Sequence, residues 1–319
     1  MTRIEHQPST EPRAIEDRAI GALLGLAIGD AIGTTLEFRA RDTYQPLTDM
    51  VGGGPFNLKV GEWTDDTAMA LALADSLDGR DDLDEQELLS RFVNWWQRGI
   101  YSCTGECFDI GITTRQALVR WQLTSDPHCG STDPMSAGNG SLMRLAPVAI
   151  RFWNDRARLR DIAGRQSKTT HAAPEAVDAC IAFAEVLADA IEGRPRSEVL
   201  RPRSESYVGA IGTIMRGQWR EKARTAIRST GYVAHSLEAA LWCVDRTSDY
   251  RDAVLTAANL GEDADTTAAI TGQLAGALYG ASGIPENWLD RVAWGDQIKV
   301  KAANLLGKAV ADKSRMRSP

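Results

Sequence analysis

Apolar residues recur at i, i+3, i+4 and i+7 in segment after segment of this chain: 20–32, 67–77, 85–96, 174–191, 236–244 and 266–279. That spacing gathers them on one face of a 3.6-residue helix, whereas a half-buried strand needs strict alternation, and alternating runs of useful length are scarce. Ala and Leu, both strong helix formers, dominate these segments. Helix-start signals agree with the period. Thr64 precedes Asp65 and Asp66, Pro174 opens a run, and Asp84 stands three residues before Glu87 in capping-box spacing. The pattern predicts an all-α fold, a compact multi-helix bundle.

Within two of the segments the small residues are themselves periodic, as Gly21-Ala22-x-x-Gly25-x-x-x-Gly29 and Gly272-x-x-x-Gly276. Missing side chains at that spacing let helices pack closely, so these glycines are assigned to a core helix contact. A 319-residue chain that is 43% hydrophobic can support one large core. Residues 16–312 are expected to form a single domain, between flexible tails at 1–15 and 313–319 that carry no apolar period.

The net charge of −7 argues against a nucleic-acid partner held by diffuse basic charge, and the local run Arg194, Arg196, Arg201 and Arg203 reads as a solvated loop. Five cysteines, odd in number and without C-x-x-C spacing, suit neither a zinc site nor a disulfide scaffold, so a reducing cytoplasm is the expected location. The N-terminal segment lacks the apolar core of a signal peptide, and no continuous apolar run reaches the roughly 20 residues of a membrane span, so membrane insertion is not expected. The loops 52–55 and 138–141 are Gly-rich, but no Gly-Lys-Ser/Thr follows either, which excludes a phosphate loop of the nucleotide-hydrolase kind.

Two acidic clusters sit where a loop enters an apolar helix: Thr64-Asp65-Asp66-Thr67 and Glu262-Asp263-Ala264-Asp265-Thr266-Thr267. Capping and the helix dipole account for one or two acids at each start. They account less well for Asp263 and Asp265 two apart beside hydroxyls, since converging carboxylates repel unless a cation neutralises them. Hard oxygen ligands of this kind suit Mg²⁺, Mn²⁺ or Ca²⁺. From the residues alone, capping and metal binding both stand. Glu37, at the end of Gly29-Asp30-Ala31-Ile32-Gly33-Thr34-Thr35-Leu36-Glu37, reads on its own as a surface acid.

Seven stretches in order along residues 20–285 resemble the ADP-ribosylglycohydrolase family: GALLGLAIGDAIGTTLEF, GEWTDDTAMALALADSL, YSCTGECFDIGITT, GNGSLMRLAPVAI, KTTHAAPEA, GYVAHSLEAALW and NLGEDADTTAAITGQLAGALYG. The resemblance is strongest to the bacterial dinitrogenase reductase-activating glycohydrolases, which act on ADP-ribosylarginine. It implies an all-α fold with a dinuclear metal cleft and two divalent cations, Mg²⁺ or Mn²⁺, held by Thr64, Asp65, Asp66, Asp263, Asp265 and Thr266. It also implies Glu37 and Asp66 as carboxylates that can activate water, and Asp109 near the acceptor side chain, where a carboxylate suits a guanidinium. Asn139, Gly140 and Ser141 match a phosphate-contacting turn. His171 and Tyr232 match residues at the substrate cleft. One departure is that the second acidic motif reads Glu-Asp-Ala-Asp-Thr where many relatives have Gly-Asp-Thr-Asp-Thr, which keeps both ligand aspartates.

The implied activity is metal-dependent hydrolysis of the N-glycosidic bond of ADP-ribosylated arginine, with an ADP-ribosylated protein as substrate and ADP-ribose as product. Three alternatives share the fold. Some relatives cleave O-linked ADP-ribose from serine, O-acetyl-ADP-ribose or poly(ADP-ribose), but Asp109 in its FDIG motif favours arginine. Others are inactive binding proteins, a reading opposed by six intact ligand positions. In the third, an immunity role, the chain opposes an ADP-ribosyltransferase or toxin and contacts it through the polar N-terminal tail.

Overall fold

The computed structural model describes residues 11–316, which form fourteen α-helices and no β-strand. The first seven are α1 (Pro12–Gly33), α2 (Asp65–Asp78), α3 (Glu85–Arg98), α4 (Ile112–Thr124), α5 (Ala146–Phe152), α6 (Arg156–Lys168) and α7 (Pro174–Glu192). There follow α8 (Arg196–Val199), α9 (Gly209–Met215), α10 (Val233–Arg246), α11 (Tyr250–Ala258), α12 (Ala264–Tyr279), α13 (Glu286–Leu289) and α14 (Gly295–Met316). All six periodic segments fall inside helices, and the Asp84 carboxylate accepts the Glu87 N–H as the capping box requires.

Both expected tails are shorter than the sequence suggested. Pro12 opens α1 at the position where its missing N–H costs nothing, so residues 12–15 are helical, and α14 continues to Met316. Residues 1–10 and 317–319, the remainder of those tails, lie outside the described residues. The segment Pro12–Leu36 is, by length and composition, apolar enough to cross a membrane, although charged residues interrupt its apolar run. Its most apolar window is 89% buried inside the fold, the position of a central core helix.

The glycines explain why this helix is central. α1 and α12 run antiparallel and touch backbone to backbone. A Cβ added at Gly21, Gly25, Gly29 or Gly33 would lie 2.2–2.3 Å from a carbonyl oxygen of Gly276, Gly272, Ala268 or Ala264 respectively. Added at Gly272 or Gly276 it would meet the carbonyl of Gly25 or Gly21 at 2.0 and 1.9 Å. Tyr250 of α11 closes the contact from the side by donating its hydroxyl to the Gly25 carbonyl at 2.8 Å. The remaining helices wrap this pair, and the antiparallel register delivers the end of α1 to the start of α12.

A glycine with no such duty marks the contrast. Gly307 lies exposed within α14, and a Cβ there would meet nothing within 4 Å. Gly307→Ala is therefore expected to stabilise the fold by about 0.5–1 kcal/mol, the ordinary helix-propensity gain, read as a small rise in melting temperature.

Candidate active site

Neither acidic helix start is capped by its own N-cap residue. The caps come from the α1 end. Asp30, fully buried in the last turn of α1, accepts the Thr64 N–H at 2.9 Å, the Thr67 N–H at 3.0 Å and the hydroxyls of both threonines at 2.9 and 2.6 Å. Glu37, just beyond α1, accepts the Ala264 N–H at 2.8 Å and the Asp265 N–H at 3.4 Å. With the orphan donors of α2 and α12 already satisfied from outside, capping no longer accounts for Asp65, Asp66 and Asp263. The choice left open by the sequence is thereby narrowed toward ion binding.

Two trios of carboxylates converge here, Asp30 with Asp66 and Asp265, and Glu37 with Asp263 and Asp265, each with oxygens within 4.8 Å of one another. Asp265 belongs to both. Among the described residues no Lys, Arg or His forms an ion pair with any of them. Asp66 Oδ1 is buried with no hydrogen-bond partner. The Thr64 hydroxyl stands 3.5 Å from both Asp66 and Asp265, and the Thr266 hydroxyl 3.4 Å from Asp66, longer than ordinary hydroxyl–carboxylate bonds. Hard oxygen donors, an orphaned buried carboxylate oxygen and no internal counter-charge are what a pair of divalent cations requires.

The electrostatics carry the same message. Burial, then the charge of Asp265, raises Asp30 and Asp263 to about 7, and the same two causes push Asp65 well above the carboxylate range. Burial and Asp30 do so for Asp66; burial and Asp265 do so for Glu37. Because these acids hold protons more tightly folded than unfolded, protein stripped of metal should lose stability as pH rises from about 4 through 7, the reverse of ordinary acid denaturation. Melting temperature against pH with chelator tests this. A melting temperature that instead climbs over that range would contradict the arrangement, and added divalent cation should remove the loss.

Above the carboxylates opens a cavity of about 700 Å³, a volume typical of small-molecule sites. Glu37, Asp65, Asp109, Asn139, Gly140, His171, Asp263, Asp265 and Thr266 line it, while Thr64 and Asp66 lie beneath. Three of its wall residues, Phe38, Asp109 and Glu262, hold positive φ without being glycine (62°, 57° and 59°), a local strain of the kind that gathers at functional sites. Asp109 is raised to about 11 by burial and by the charges of Asp65 and Asp265, so it faces the acid cluster as well as the cavity.

The turn 138–141 divides its labour. Gly140 lines the cavity, and its N–H finds no acceptor among the described residues, as a phosphate contact requires. Asn139 donates to Asp263 at 2.6 Å and to Ser236 at 2.8 Å, so its amide holds a carboxylate in place. The Ser141 hydroxyl is turned away from the cavity, buried against Ser167 at 2.8 Å, which leaves the backbone of that residue to the phosphate-contacting turn. Tyr232 does not line the cavity either. As N-cap of α10 it turns its hydroxyl to Glu175 and its ring against His235, and its neighbours Thr230 and Gly231 form the wall instead.

His171 is held in one protonation state. Arg144, fully buried and lowered to about 9 by that burial, donates to the Thr170 hydroxyl at 2.9 Å. The Thr170 hydroxyl hydrogen then has His171 Nδ1, 2.9 Å away, as its acceptor. Nδ1 so engaged leaves the proton on Nε2, which lies beside Gly138 and Gly140. Burial, then Arg144, lowers the ring to about 3 and keeps it neutral. It is a fixed donor toward the cavity rather than a base.

Asp30 is the residue that reading by sequence motif missed. Its signal was present, a lone charge inside the apolar run from Gly21 to Ile32 that is costly to bury unless paired.

The model of the ADP-ribosylglycohydrolase family matches residues 11–315. ADP-ribosylarginine hydrolase Tri1 of Pseudomonas putida (strain GB-1) is 45% identical over 95% of this chain and 85% of its own, and the protein of that name from Serratia proteamaculans (strain 568) is 46% identical over 91% and 79%. The ADP-ribosyl-[dinitrogen reductase] glycohydrolase of Rhodospirillum rubrum is 32% identical over 88% and 91%. A solved structure described as an ADP-ribosylglycohydrolase-related protein complex superposes with a TM-score of 0.83 at 36% identity, covering 92% of this chain and 99% of that one. Fold, acid cluster and likeness agree, and the chain belongs to the ADP-ribosylglycohydrolase family.

Proposed function

We propose that this protein hydrolyses the N-glycosidic bond between ADP-ribose and arginine, reversing mono-ADP-ribosylation of a protein. The observation that carries the reading is the pair of carboxylate trios sharing Asp265 on the floor of a 700 Å³ cavity. It stands in a chain 45% identical, over 95% of its length, to a protein named ADP-ribosylarginine hydrolase.

Asp30, Asp66, Glu37, Asp263 and Asp265, with the hydroxyls of Thr64 and Thr266 and the carboxylate of Asp65, would hold two cations, Mg²⁺ or Mn²⁺. Bound there, such ions supply charge that grips ribose hydroxyls and lowers the pKa of water. Of the two carboxylates expected as base, Glu37 lines the cavity and Asp66 does not, so the proton of the attacking water is assigned to Glu37. Its Oε2 is engaged by the start of α12, which fixes the carboxyl in place. Asp109, which lines the same cavity, holds and orients the leaving guanidinium, the group that departs as the ribose passes through an oxocarbenium-like state. The Gly140 N–H and the His171 Nε2–H donate to the diphosphate.

The test is release of ADP-ribose from arginine-linked and serine-linked substrates, each with Mg²⁺, Mn²⁺ or chelator. Metal-dependent release from arginine alone is expected. Release from serine would transfer the assignment to O-linked substrates, and release from neither would leave a binding protein of the same fold.

A further inference from the structure

Beside the catalytic cavity a second concavity runs along the outer face of α4, lined by Ile110, Ile112, Arg115, Gln116, Val119, Arg120, Leu123 and Thr124. Ile112 lines both, so the groove adjoins the cavity. Among the described residues nothing covers this face. Ile112 is 76% exposed, Leu123 80% and Val119 39%, while α4 packs inward through Thr114, Ala117 and Leu118. Exposed apolar residues aligned on one helix face mark contact sites more often than scattered ones do.

The groove is also unlike the rest of the surface in charge. The chain carries a net −7, yet no carboxylate lines this groove and two arginines do. Arg115 is exposed and makes no ion pair among the described residues. Arg120 spends one N–H on the Cys129 carbonyl and keeps the others. An apolar stripe flanked by guanidinium groups is complementary to a segment that mixes acidic and apolar side chains.

Geometry says where such a segment comes from. When ADP-ribose fills the cavity with its arginine bond at Asp109, the polypeptide bearing that arginine has to leave across a lip of the cavity. Gly111, Ile112 and Thr113 form one lip, and the groove begins there. We infer that the outer face of α4 is the docking surface for the modified protein, and that it takes the acidic and apolar residues flanking the ADP-ribosylated arginine. This rests on the activity proposed above, and binding here would lower KM without touching the reacting atoms.

Three substrates separate the possibilities: free ADP-ribosylarginine, a peptide with Asp, Glu and Leu around the modified arginine, and a peptide of equal length with Lys and Ser there. The wild-type enzyme should show a KM for the acidic–apolar peptide about tenfold or more below that for the basic one. Leu123→Glu and Arg115→Glu, both at exposed positions outside the cavity, should erase that preference while leaving turnover of free ADP-ribosylarginine within about twofold. Equal KM values for the two peptides, or a preference that survives both substitutions, overturns the docking surface while the activity stands. Wild-type protein that cleaves none of the three overturns the activity and the docking surface with it.

Discussion

Asp265→Asn is expected to abolish turnover by on the order of 10³-fold or more while raising the melting temperature of the metal-free protein. The two effects share a cause. Asp265 is the one carboxylate common to both acid trios, so neutralising it removes a ligand from each at once. Several kcal/mol of charge stabilisation then disappear, at about 1.36 kcal/mol per tenfold. In the absence of metal, however, the same charge is a liability, because it raises Asp30, Glu37, Asp65, Asp109 and Asp263 toward their protonated forms. Asparagine keeps an Oδ1 that can accept the Thr266 N–H, which Asp265 does at 2.7 Å, so the helix start survives. Melting curves with chelator and with Mn²⁺, beside single-turnover assays, read both effects. Activity within tenfold of wild type would sink the shared-ligand assignment, and a lower melting temperature under chelator would sink the electrostatic one.

How the site could be read in advance depended on which residues announce themselves locally. The acids at 64–66 and 263–266 sit at helix starts in recognisable order, and the structure brings them together. The lone charge at Asp30 shows only that a partner is needed, and neither Asp30 nor Glu37 carries a local sign of what it caps, because those groups lie 34 and 227 positions away in sequence, at Thr64 and Ala264. Only the packing of α1 against the starts of α2 and α12 reveals them as caps. The side chains of Ser141 and Tyr232 turn away from the cavity for a related reason. A motif fixes the backbone path, but a side chain follows its nearest partner, Ser167 for one and Glu175 for the other. Six helices were legible from a one-sided apolar face or from glycine repeats inside an apolar run, whereas α4, α6, α11 and α14 were not among the segments read, their apolar positions being diluted by polar and charged residues. Short helices such as α8 and α13, four residues each, carry too few periods to show any pattern.

The glycine ladder leads to the second large effect. Gly25→Ala adds one methyl group, and in an ordinary helix interior that would stabilise. Here the Cβ would stand 2.2 Å from the Gly272 carbonyl oxygen and 3.1 Å from the Tyr250 ring. The obstacle is backbone, and the same contact repeats at Gly21, Gly29 and Gly33, so α12 cannot retreat at one rung without opening the others. A cost of roughly 3–5 kcal/mol is expected, a large share of the 5–15 kcal/mol that holds a typical domain together. Melting temperature should fall by on the order of 10 °C. Function should fall further than stability does. Asp30 lies five residues beyond Gly25 on α1, and Asp265 lies seven residues before Gly272 on α12, so spreading the helices draws apart the carboxylates that must meet. At a temperature where the variant is still folded, Mn²⁺ titration by calorimetry should show weakened binding, whereas Gly307→Ala should titrate as wild type. A Gly25→Ala protein that melts within about 2 °C of wild type and binds the ion normally would show that the contact between α1 and α12 is not what sets the spacing of the site.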